Sequence, residues 1–146
     1  MPEMIDDSVI DNIEIVWVAT PLPGQTRLKH CPPELTPLHN LFSWWQWKDV
    51  NFLAEGVVER SGRSVNDLGF AYPEEIDEED EQVEGSVQVF DNFDKIYLSE
   101  EAFRRLMLRF FKTLYQGAKA EGLSVTKEAW WPDFVDNLDK LENPPD

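Results

Sequence analysis

The stretch that decides the fold runs from Ser86 to Gly117, SVQVFDNFDKIYLSEEAFRRLMLRFFKTLYQG. Its first half carries Val87, Val89 and Phe90, then Ile96, Tyr97 and Leu98, on either side of the turn-forming DNFD, which predicts two short strands joined as a hairpin. Its second half opens with Ser99, Glu100 and Glu101, an N-cap with an acidic first turn that suits the positive end of a helix dipole. Phe103, Leu106, Met107, Phe110, Leu114 and Tyr115 then recur on one face, so the helix runs to about Glu121, with Gly122 as its stop. Strand pair followed by long amphipathic helix is an α+β arrangement: a small antiparallel sheet packed against several helices.

Toward the N-terminus, IEIVWV at 13–18 predicts another strand, bounded by a turn-rich segment. Five prolines and Gly24 between Thr20 and Pro37 predict an irregular loop or surface arm there. Thr36 with Pro37 resembles an N-cap with proline at the first helical position, and Leu38, Leu41, Phe42 and Trp45 continue at helical spacing. The pattern resumes at Val50, Leu53, Ala54, Val57 and Val58, with Asp49 as a cap and Gly62 as a terminator. The helix is either continuous or broken near Lys48, and a strand reading of FSWWQW competes with it. Beyond Gly62 the polar RSGRSVNDLG is read as the start of a long solvated excursion. Near the C-terminus, Thr126 as a cap and Pro132 as a restart predict a last helix carrying Phe134, Val135, Leu138 and Leu141.

A length of 146 residues fits a single α+β domain spanning 1–146, with an acidic surface loop at 71–85 within it. The 42% hydrophobic content, with six Trp and nine Phe, is enough for a core despite the charge. Thirteen basic against 29 acidic residues give a net charge of −16, which opposes approach to nucleic acid and anionic lipid. Cys31 is the single cysteine, so no internal disulfide is possible, and its Pro-rich surroundings give it no nucleophile motif. No signal-peptide pattern or membrane-length apolar run is present, which predicts a cytoplasmic protein.

The charge is concentrated. Glu74, Glu75, Asp77, Glu78, Glu79, Asp80, Glu81 and Glu84 place eight carboxylates in eleven residues with no Lys or Arg among them. Such a run projects a negative field toward a cationic partner. Spacing argues against an EF-hand, because a loop starting at Asp77 puts Gln82 at its sixth position and Gln88 at its twelfth, which leaves weak divalent-cation binding as the remaining metal reading of the run. No phosphate-binding loop, dinucleotide fingerprint or nucleophile elbow occurs, so neither enzyme nor cofactor chemistry is indicated. Arg104, Arg105, Arg109, Lys112 and Lys119 share the long helix and read as a solvated face paired with carboxylates. Among Trp44, Trp45 and Trp47 a helix turns by about 100° per residue, so one face cannot hide all three. Trp44 and Trp47 are therefore candidate partner anchors beside the acidic run.

The acidic run, together with YLSEEAFRRLMLRFFKTLYQGAKAEGLS at 97–124 leading to WWPDFVDNLDKL at 130–141, resembles the immunity proteins of bacterial polymorphic toxins, nearest to those of contact-dependent growth inhibition. The resemblance is one of character across the C-terminal half, without a diagnostic motif, and no residue role is carried over from it. It implies a protein that binds the cognate toxin C-terminal domain, often a basic nuclease, and covers or distorts its active site. The alternatives are a regulatory or adaptor protein whose acidic loop aids solubility, and a nucleic-acid mimic.

Overall fold

The computed structural model describes residues 3–19, 25–77 and 81–144. The decisive stretch forms as its pattern predicts. Strands β6 (Ser86–Phe90) and β7 (Lys95–Ser99) pair antiparallel, and the Ser99 hydroxyl accepts the Ala102 amide at 3.1 Å to start helix α4 (Glu100–Ala120). Preceding elements are β1 (Met4–Ile5), α1 (Asp7–Asp11), β2 (Glu14–Trp17), β3 (Thr26–Lys29), α2 (Thr36–Ser43), α3 (Trp47–Glu59), β4 (Arg63–Val65) and β5 (Leu68–Ala71), and α5 (Trp131–Glu142) closes the chain. The main sheet has the order β1-β7-β6-β5-β4, and β2 with β3 forms a separate ribbon.

One face of the sheet, carrying Phe70, Val87, Val89, Ile96 and Leu98, meets the apolar side of α4 at Phe103, Leu106 and Met107. Phe70 lies 5.0 Å from Phe103, ring centre to ring centre, and Phe42 of α2 lies 4.6 Å from Phe110. Phe134 brings α5 onto Phe111, and Asn137 donates to Asn51 at 2.9 Å to fix α5 against α3. Arg105 holds Asp11 of α1 through two bonds of 3.0 and 2.9 Å, and Lys112 reaches Glu142 at 2.8 Å, so much of the basic face of α4 pairs with carboxylates. Among the described residues no helix is long and apolar enough to cross a membrane.

Several sequence expectations are corrected. β1 joins β7 in parallel, Met4 beside Tyr97, so the sheet is mixed; two residues are too few to show a period. β3 sits inside the proline-rich segment, in the proline-free interval before Pro32, because β2 offers it a partner edge. Residues 63–71 are not a solvated loop but an antiparallel hairpin. Its two-residue turn, Asn66 and Asp67, has both φ values positive, 53° and 66°, as a right-twisted hairpin requires. The N-cap of α2 is Leu35 rather than Thr36. The chain leaves the helix at Trp44 and re-enters after Gln46, not Asp49. Arg60, not Gly62, ends α3 in the left-handed region at φ 57°, and its guanidinium is held by Glu100 and Glu74. Thr126 lies within a 3-10 turn, its hydroxyl donating to the Leu123 carbonyl, and α5 begins after Trp130.

Candidate functional site

The break between α2 and α3 distributes the three tryptophans to three places. Trp45 turns inward, 5% exposed, and donates its indole N–H to the Thr26 hydroxyl at 2.8 Å, while Thr26 in turn donates to the Phe42 carbonyl. Trp47 is half-buried, packs edge-on to Trp45 at 4.8 Å, and donates to Gln25 at 3.3 Å. Trp44, the C-cap of α2, is 72% exposed and makes no ring pair or side-chain hydrogen bond among the described residues. Trp44 and Trp47 therefore do not share a surface: Trp47 borders a cleft with Gln25, Glu121 and Leu123.

Trp44 lines a groove of about 340 Å³ at the end of the sheet where the two hairpin tips come together. Asn66 and Leu68 come from the β4–β5 tip, Asp91, Asn92 and Phe93 from the β6–β7 tip, and Asn40 and Gln46 from either side of the helix break. Phe93 is 92% exposed. Its position is built by Asp91, whose Oδ1 accepts the amides of Phe93 and Asp94 at 2.8 Å each while Asn40 donates to Oδ2 at 2.9 Å. Burial would raise the Asp91 carboxyl, but those two amides, Asn40 and the Thr36 hydroxyl outweigh it and hold the pKa below its ordinary value of 3.8. Asp91 is thus a fixed negative charge at the tip. Beneath Trp44, Asp49 borders an adjoining small cavity, and its buried Oδ2 has no hydrogen-bond partner among the described residues. No Lys or Arg lines the groove.

The acidic run is partly consumed by the fold. Glu74 binds Arg60 at 2.9 Å, and that guanidinium pulls its carboxyl below the ordinary carboxylate range. Glu75 accepts the amides of Gly62, at 3.0 and 2.9 Å, and Tyr72, at 2.9 Å, joining the β4 entry to the β5 exit. Glu81 pairs with Lys95, two residues beyond Phe93, so the run returns toward the groove end of the sheet. Asp77 and Glu84 are exposed with no partner among the described residues. Glu78, Glu79 and Asp80 lie outside the described residues.

Sequence reasoning reached Trp44 but missed Phe93, Asp91, Asn40 and Asn66. The available signal was the phenylalanine inside the otherwise polar DNFD turn, where burial cannot be the reason for an aromatic ring. Burial, with Glu34 adding to it, pushes the Cys31 thiol up to about 11, so at neutral pH it is protonated. Among the described residues no group of three His, Cys, Asp or Glu side chains is placed to hold a metal ion. Compared with known proteins, the chain matches no family model, no curated protein and no solved structure.

Proposed function

We propose that the protein is a non-enzymatic binding protein that docks a cationic protein partner on the face bearing Trp44 and Phe93. One observation carries this reading: the two most exposed aromatic rings among the described residues, Trp44 and Phe93, stand on a single groove, held there by ordered turns, in a molecule of net charge −16, whereas Phe52, 44% exposed, lies elsewhere under the Arg63 guanidinium. Exposed Trp beside fixed carboxylates is the composition of an interface hot spot, and the surrounding charge sets association rate and specificity. The resemblance to toxin immunity proteins supplies the finer reading, in which the partner is the basic nuclease domain of a cognate toxin and this chain neutralises it.

The experiment is capture from host lysate at low salt, with the wild-type chain and a Trp44→Ala/Phe93→Ala variant as parallel baits. A basic protein held by the first and lost by the second is the expected result; retention unaffected by the double substitution would remove this face from the function. The immunity reading further expects that the captured protein is encoded immediately upstream as part of a large secreted toxin, and that co-expression restores growth against that toxin alone. Protection against many unrelated nucleic-acid-binding proteins would point instead to mimicry.

A further inference from the structure

The geometry points to a specific guest for this groove: an arginine side chain of the partner, its guanidinium laid against Trp44 and Phe93. This inference rests on the docking role given to that face above. The negative charge comes from Asp91, yet that carboxylate already accepts three hydrogen bonds, from the amides of Phe93 and Asp94 and from Asn40, so most of its acceptor capacity is taken and it offers chiefly a field. The uncommitted acceptors are neutral amide oxygens: Asn66, Asn92 and Gln46 line the groove and make no side-chain hydrogen bond among the described residues.

That combination selects among guests. An anion finds no Lys or Arg to receive it. A purely apolar side chain would strip water from the amides without replacing their hydrogen bonds. A lysine ammonium is strongly hydrated and concentrates its charge at one point, and with Asp91 already engaged and Asp49 Oδ2 buried in the adjoining cavity rather than lining the groove it recovers little of what it loses. A guanidinium is planar, weakly hydrated and stacks on aromatic faces, while its five N–H donors spread in the plane where amide oxygens can accept them. The groove, at about 340 Å³, lies near the lower end of the roughly 300–1,000 Å³ range of ligand sites, a size suited to a single side chain.

The test is an NMR titration of the isotopically labelled full chain with N-acetyl-arginine amide, alongside the lysine and citrulline counterparts. Shifts localised at the Trp44 indole N–H, the Phe93 amide and the Asn92 side chain are expected with the arginine probe. Citrulline, the neutral near-isostere, is expected to bind about tenfold more weakly or not at all, and lysine to fall between. Phe93→Leu, an exposed substitution that leaves the Asp91 turn intact, is expected to reduce the arginine response several-fold. Equal responses to arginine and citrulline, shifts confined to carboxylate-rich surface around Asp77 and Glu84, or no localised shift up to the solubility of the probe would each overturn the inference. Partner capture that depends on Trp44 and Phe93 without an arginine response would sink this inference alone, whereas an arginine response without groove-dependent capture would sink the docking role.

Discussion

Asp91 shows how one residue can be both structural and electrostatic. Three donors converge on its carboxylate, two from its own turn and one from α2, so the turn that lifts Phe93 into solvent is pinned to the helix that ends at Trp44. Its folded pKa lies below the unfolded value, so its contribution is complete above that value and is lost as pH falls through the folded one. Replacing Asp91 with Ala is expected to cost about 1–3 kcal/mol near neutral pH, and the variant should lose less further stability than wild type as pH drops below 3.8. Urea melts of both proteins across that range measure the difference, and parallel acid profiles would remove Asp91 from the account. Aspartate at the head of DNFD was legible as a turn former; its link to Asn40, 51 residues away, was not, because side-chain partners across the sequence leave no local pattern.

At the scale of elements, two substitutions separate local preference from packing. Asp67 occupies the second position of a two-residue turn at φ 66°, where glycine has no steric cost, so Asp67→Gly is expected to stabilise by about 0.5–1 kcal/mol. A fall in the urea midpoint would contradict the turn assignment. Gly117 sits inside α4, where helix propensity alone predicts a gain of about 1 kcal/mol on changing to alanine. The Trp17 indole of β2 lies against that glycine, and an added Cβ would overlap the ring. Gly117→Ala is therefore expected to lose about 1–3 kcal/mol and to change Trp17 fluorescence as the ribbon is pushed off the helix. A stabilised variant would show that the ribbon yields freely. Long elements were readable because α4 repeats its apolar face over 21 residues. The β4–β5 hairpin was not, because strands of three and four residues are shorter than the period test needs, and the acidic sequence after them suggested solvent throughout.

For the whole molecule the net charge of −16 opposes compaction, and the ion pairs of Arg60, Arg105 and Lys112 offset it only locally. Raising sodium chloride from about 10 mM to about 150 mM shortens the screening length from about 30 Å to about 8 Å, and should raise the thermal midpoint by roughly 2–6 °C. A falling midpoint would mean that the ion pairs outweigh the repulsion. The α+β class, the hairpin and helix at 86–121, the core faces and the charge excess were settled by sequence alone, because periodicity, capping and composition are properties of neighbouring residues. Which tryptophan stays outside, which carboxylates of the acidic run are spent on Arg60, Lys95 and backbone amides, and the meeting of Trp44 with Phe93 were decided only by tertiary structure. Those outcomes depend on where a helix breaks and which hairpin tips share an end of the sheet, and such distances are set by packing between segments far apart in the chain.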